Sequence, residues 1–281
     1  MQFIECLEFK IRSNNIKQKV NKLSIPKLLP NIFTTIGLCT GLTGIRFALE
    51  SDWERAVICI LIAAFFDLID GLSARLLKAF SRFGAELDSL ADAISFGVAP
   101  TIISFLWFKS SSSIIDNSNT EVLGWYWIPF LLYTMCCAFR LARFNVMANE
   151  QTSDQPQMKK RFFVGVPAPA AAVLVLLPMV FEFAMSRLQL DKSIIENPEF
   201  LLFWVCVVGC LMISTIPTFS LRNLQIRISV SKALPVLIMV CLIFAVFVKE
   251  MWITLLFFGL LYLLSIPLFY FFYYKFNSQK D

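Results

Sequence analysis

The chain has 281 residues, of which 58% are hydrophobic and only 16% charged, with a formal net charge of +5 and no histidine. That balance excludes an ordinary water-soluble domain and indicates a polytopic membrane protein. The missing imidazole leaves any acid–base or metal chemistry to carboxylates, lysine, tyrosine or cysteine.

Residues 1–29 are basic, with Lys10, Arg12, Lys17, Lys19, Lys22 and Lys27, and lack the long apolar core of a cleavable signal. They read as a cytoplasmic segment. Ile16, Val20, Leu23 and Ile25 permit a short helix in an anionic interface, and a solvated arm fits equally. A span needs about 20 mostly apolar residues. Eight stretches qualify, near 31–49, 54–74, 85–107, 124–146, 164–185, 199–217, 233–249 and 251–274. Only Lys249 and Glu250 divide the last two, and these residues also fit a kink in one hairpin.

The expected architecture is an all-α, polytopic integral membrane helix bundle of about eight transmembrane helices with both termini cytoplasmic. With that threading, most basic residues collect on one side: the N-terminal group, then Arg75, Lys78 and Arg82, then Arg140, Arg143, Lys159, Lys160 and Arg161, then Arg222, Arg227 and Lys232, and finally Lys275 and Lys280. This is the positive-inside pattern. The expected divisions are an N-terminal segment (1–29), a catalytic transmembrane core (30–217), C-terminal transmembrane helices (218–275) and a polar tail (276–281).

In the first span, Gly37, Gly41 and Gly44 leave room for a neighbouring helix to approach. The eight cysteines, Cys6, Cys39, Cys59, Cys136, Cys137, Cys206, Cys210 and Cys241, fall mostly in apolar runs without CxxC spacing and read as small hydrophobes.

The second and third spans carry the chemistry. Asp67, Asp70, Asp88 and Asp92 lie in or beside strongly apolar sequence, where each acid costs roughly 2.5–3.5 kcal/mol to insert. On one helix Asp67, Asp70 or Gly71, and Ala74 or Arg75 follow i, i+3/i+4 steps. On the next, Gly84, Asp88 and Asp92 form a second stripe. The intervening Leu76 to Phe83 lets the chain reverse, so the stripes can face each other. Four carboxylates meeting there repel unless cations neutralise them, and oxygen-only ligands suit a hard divalent ion, Mg2+ or Mn2+. Arg75 would offer a paired donor to a phosphate. Burial of the acids in salt bridges with Arg75, Arg140 and Arg143 is the plain structural alternative. A cation or proton pathway is another, and would spread acids through the depth of the bilayer.

The spacing Asp67-x2-Asp70-Gly71-x2-Ala74-Arg75-x8-Gly84-x3-Asp88-x3-Asp92 resembles the signature of the CDP-alcohol phosphotransferase (CDP-alcohol phosphatidyltransferase) family. The resemblance implies an integral membrane enzyme that transfers a phosphatidyl or related group from a CDP-linked donor to an alcohol, releasing CMP. It implies that Asp67, Asp70 and Asp88 hold divalent metal, and that Asp92 deprotonates the acceptor while lying beside a metal. It also implies that Gly71, Arg75 and Ser81 contact the CDP moiety of CDP-diacylglycerol, with Ala74 and Gly84 leaving space for it.

Further segments, LPNIFTT at 29–35, SFGVAP at 95–100, FRLARFN at 139–145 and FVGVPAPAAA at 163–172, resemble the bacterial and archaeal branch that uses L-serine as acceptor. Arg140 and Arg143 are then candidates for the serine carboxylate and Asn145 for its amine or hydroxyl, while an Arg at the end of a span also serves simply as a topology anchor. Gly165, Pro167 and Pro169 read best as shaping a helix entrance. The expected setting is the bacterial cytoplasmic membrane with the site near its inner face, and family members of this kind are commonly homodimers. Another acceptor, glycerol 3-phosphate or an inositol phosphate, is the nearest rival, with Lys159, Lys160 and Arg161 as the basic cluster it would need. A cation or proton transporter is the rival from another class.

Overall fold

The computed structural model describes residues 25–77, 81–111, 120–150, 162–190, 198–214, 217–219 and 230–277. The basic segment 1–24, the loop 112–119, the Lys159–Arg161 cluster and the tail beyond 277 lie outside the described residues.

Among the described residues the structure is helical apart from one small strand pair. Helices α1 (Ile25–Leu49) and α2 (Trp53–Leu76) form an antiparallel hairpin. Asp52 caps α2, its carboxylate accepting from Arg55 N at 3.2 Å. The glycines of α1 shape this contact unequally. A Cβ on Gly44 would stand 3.1 Å from Ala56 O and one on Gly41 would stand 2.8 Å from Ser95 Oγ, whereas one on Gly37 would meet Phe66 Cβ at an ordinary 3.4 Å. Close helix approach explains the spacing.

After α2, Ser81 caps α3 (Arg82–Asp92), its hydroxyl accepting from Gly84 N at 3.0 Å. The chain continues through a π-helical segment, Ala93–Val98, into α4 (Ala99–Ser111). A π turn frees backbone groups and bends the ladder, and recurs at functional sites. Here the buried Tyr133 hydroxyl donates to Phe96 O at 2.8 Å, and Thr101 Oγ1 donates to Gly97 O at 2.6 Å. Tyr133 belongs to α5 (Thr120–Glu150). The absence of a side chain at Gly97 lets α5 close on the π segment, since a Cβ there would lie 3.2 Å from Cys137 Sγ.

Strands β1 (Phe162–Val164) and β2 (Pro217–Phe219) pair antiparallel, with Phe162 opposite Phe219 and Val164 opposite Pro217. Gly165 follows at φ 81°, against the carbonyls of Met212 and Ser214. Any side chain would be strained there. Pro167 then caps α6 (Ala168–Val175), with Pro169 in its first turn, as expected for a helix entrance. Helix α6 runs into α7 (Leu177–Leu188) with a 49° bend, and Pro178 at the start of α7 accounts for the break. The remaining helices are α8 (Pro198–Ile213), α9 (Val230–Lys249) and α10 (Met251–Asn277). The core threads Ala56, Ile60, Phe96, Ile103, Tyr133, Ala171 and Val208, each under 2% exposed.

Two expectations are corrected. The stretch 164–185 is a strand end and a bent helix pair rather than one straight span. The stretch 199–217 is a helix that ends at Ile213, because Pro217–Phe219 is drawn into the strand pair. The two three-residue strands leave the fold class all-α. Among the described residues, five helices are long and apolar enough to cross a membrane, six if the bent pair counts as one span. The boundary at Lys249 and Glu250 is a break between two helices. Cys59, Cys136 and Cys137 are buried in packing contacts, and Cys39, Cys59, Cys136, Cys137, Cys206, Cys210 and Cys241 are all free thiols.

Candidate active site

The hairpin of α2 into α3 brings the two acidic stripes face to face. Carboxylate oxygens of Asp67, Asp70 and Asp88 all lie within 4.8 Å of one another. The four acids line a narrow cleft together with Thr34, Gly37 and Leu38 of α1, Ala63 of α2, Ala91 of α3, and Ser95 and Phe96 of the π segment.

The ion pairs Arg46–Glu50 at 3.1 Å and Arg55–Asp52 at 3.3 Å involve no residue of the cleft. Asp70 is 5% exposed, and its Oδ2 is buried without a hydrogen-bond partner. A buried carboxylate oxygen with no donor is costly. Three converging carboxylates with one such oxygen fit a hard divalent cation, so Asp67, Asp70 and Asp88 are the residues that could hold one.

The other expected residues distribute along the same helices. Gly71, Ala74 and Arg75 continue α2 towards the turn, outside the lining of the acidic cleft. Arg75 is exposed and folds back along the helix, Nε donating to Gly71 O at 2.8 Å. Ser81 is occupied as the α3 cap. Gly84 has its own packing reason, because a Cβ would stand 2.8 Å from Asn31 Oδ1 and 3.0 Å from Ser81 Oγ.

On α5 the three serine-site candidates differ in circumstance. Arg143 Nη1 donates to Ile213 O at 3.0 Å, and Asn145 Nδ2 donates to Ser89 Oγ at 2.9 Å. Arg140, one turn beyond Cys137, is carried beside the acids by the Gly97 contact and lies within electrostatic reach of Asp67 and Asp92. Lys159, Lys160 and Arg161 fall outside the described residues.

Asn31, Thr34 and Ser95 were not singled out as individual site residues from sequence. Thr34 is buried and donates to Pro30 O at 3.0 Å. Ser95 is 2% exposed, and its hydroxyl has no partner. Their signal was the two motifs that contain them, LPNIFTT and SFGVAP.

A cleft of this construction can grip a hard cation and, through it, an anionic phosphate, with Asp92 lining the same space. The family model described as CDP-alcohol phosphatidyltransferase matches residues 27–195, and one described as CDP-alcohol phosphatidyltransferase 2 matches 233–267. A Mycobacterium leprae protein named CDP-diacylglycerol–serine O-phosphatidyltransferase is 38% identical over 200 residues, covering 71% of this chain and 61% of the relative. Proteins of the same name from Mycobacterium tuberculosis H37Rv and Bacillus subtilis are 36% and 30% identical. These matches cover 76% and 67% of this chain, and 69% and 88% of the relatives. The first family model takes in the whole of the acidic cleft and more than half the chain, and on that ground the chain belongs to the CDP-alcohol phosphatidyltransferase family.

Proposed function

We propose that this protein transfers the phosphatidyl group of CDP-diacylglycerol to the hydroxyl of L-serine, giving phosphatidylserine and CMP. The observation that carries the chemistry is the Asp67, Asp70 and Asp88 cluster with the orphaned Asp70 oxygen. The names of the relatives support serine as the acceptor. Asp67, Asp70 and Asp88, with Asp92 alongside, would hold Mg2+ or Mn2+. When bound, the cation neutralises charge on the pyrophosphate and acidifies the acceptor hydroxyl.

The chain's own residues do the rest. Arg75, exposed near the α2–α3 turn, reaches the donor phosphates, and Gly71, Ala74, Ser81 and Gly84 accommodate the cytidine end. Arg140 orients the serine carboxylate. The serine oxygen attacks the phosphorus that bears the diacylglycerol, its proton passes to Asp92, and the bond to CMP breaks with the electron pair leaving on CMP. The buried hydrophobic wall of Ala63, Ala91 and Phe96 limits water at the reacting phosphorus.

The donor arrives from the bilayer and serine from the cytoplasm. The basic residues of the loops support both termini inside and the site near the cytoplasmic face of a bacterial inner membrane. The protein functions as a homodimer, with the chain divided at about residues 29, 217 and 275. Gathering of all four acids in one cleft, instead of along a path across the bilayer, supports an enzyme over a cation or proton transporter.

The assay is direct. Purified protein is incubated with labelled serine, CDP-diacylglycerol and Mn2+ or Mg2+, and phosphatidylserine and CMP appear in equal amounts. Product from glycerol 3-phosphate or an inositol phosphate alone would refute serine as acceptor, and no CMP release with any of the three would refute the enzyme.

A further inference from the structure

Two polar groups on helices far apart in sequence share an unusual condition. Nε of Arg140 on α5 and the hydroxyl of Tyr262 on α10 are both buried, and neither has a hydrogen-bond partner. The two side chains lie within electrostatic reach of each other, with Asp92 near Arg140 as well. A guanidinium offers only donors, and a phenol offers a donor that needs an acceptor when buried. Leaving both donors without an acceptor in an apolar bundle is costly, and neither Asp67 nor Asp92, though within electrostatic reach of Arg140, bonds to its Nε. Arg143 and Asn145, in contrast, already bond to Ile213 O and Ser89.

The missing partner must be an acceptor that both groups can reach, small and anionic, and placed close to Asp92. A carboxylate meets all three demands. We propose that Tyr262 is an acceptor-binding residue which, together with Arg140, receives the α-carboxylate of the amino-acid acceptor and so selects it over amino alcohols that lack one. The assignment rests on the serine reading given above. It makes the C-terminal helix α10 a wall of the acceptor site, fixed there by Phe183 against Trp252, whose rings lie 4.7 Å apart, and by the bare Gly259 against Leu177.

The test compares serine with ethanolamine, which keeps the hydroxyl and amine and lacks the carboxylate. Tyr262→Phe removes one oxygen and preserves shape. Loss of one hydrogen bond to a charged ligand raises KM for serine about tenfold, while KM for CDP-diacylglycerol and the slow use of ethanolamine stay at their wild-type values. Tyr262→Gln, which restores a donor, recovers part of the serine affinity. An unchanged serine KM in Tyr262→Phe overturns the proposal. So does an equal change for serine and CDP-diacylglycerol, which is the mark of a packing role. A wild-type protein that makes no product from serine overturns the serine reading itself, and this assignment with it.

Discussion

Two glycines four residues apart in α1 should respond in opposite directions to the same methyl group. At Gly37 an added Cβ meets Phe66 Cβ at 3.4 Å and Ala63 O at 3.5 Å, both ordinary contacts. Gly37→Ala therefore keeps the packing and gains helix propensity, about 0.5–1 kcal/mol. At Gly41 the Cβ stands 2.8 Å from Ser95 Oγ, 3.0 Å from its Cβ and 3.1 Å from its Cα. The side chain cannot swing clear, because the backbone of the π segment is itself too close. Overpacking of this kind costs about 1–3 kcal/mol, which outweighs the propensity gain and pushes α1 away from the cleft it lines. Ser95→Gly removes the two nearest atoms and should return most of the loss in the double variant, a coupling readable in a double-mutant cycle. The measurement is the midpoint of thermal inactivation in detergent, followed by residual transfer of phosphatidyl groups. Gly37→Ala is expected at or above the wild-type midpoint and Gly41→Ala below it. Equal midpoints for the two variants, or no recovery in Gly41→Ala/Ser95→Gly, would refute the geometry of the α1 contact.

Two further expectations concern the third span. Asp92→Asn should abolish turnover and leave metal-dependent binding of CDP-diacylglycerol largely intact, since a proton acceptor is lost while Asp67, Asp70 and Asp88 remain; full activity would contradict its role as base. Tyr133→Phe strips the donor from Phe96 O inside a fully buried contact, at a cost of about 1–3 kcal/mol. Its thermal midpoint should fall, and an unchanged midpoint would show that the π segment does not depend on that bond.

The acidic cleft was legible in the sequence because its signal is local. Asp67 and Asp70 are neighbours on one helix face, Asp88 and Asp92 on another, and the short connection between them lets the stripes face each other. Helix packing through Gly41 and Gly44 was legible for the same reason. What escaped depended on contacts between distant segments. The run from Ala93 to Val98 is apolar whether α or π, and nothing in its composition announces that Tyr133, on another helix, donates to its Phe96 carbonyl. The stretch to residue 217 looked like one span because Pro217 and Phe219 are apolar; they are strand residues because Phe162–Val164 lies alongside. The bend before Pro178 had a visible cause that the hydropathy of the run concealed. Tyr262 reads as one more aromatic in an apolar helix, and only the fold brings it within electrostatic reach of Arg140.

The π segment gives one membrane helix two independent jobs. In an uninterrupted α-helix, Asp88, Asp92, Ala99 and Ile103 would fall on a single stripe, so polar and packing residues would compete for one face. The wider turn inserts roughly one residue, about 100° of rotation. Upstream of it the face turned to the cleft is acidic; downstream, Ala99, Ile103 and Trp107 are sealed into the core. Substitutions that retune the reactive half are thereby insulated from those that tighten the supporting half, which gives the scaffold latitude to diversify its chemistry without renegotiating how it is held in the bilayer.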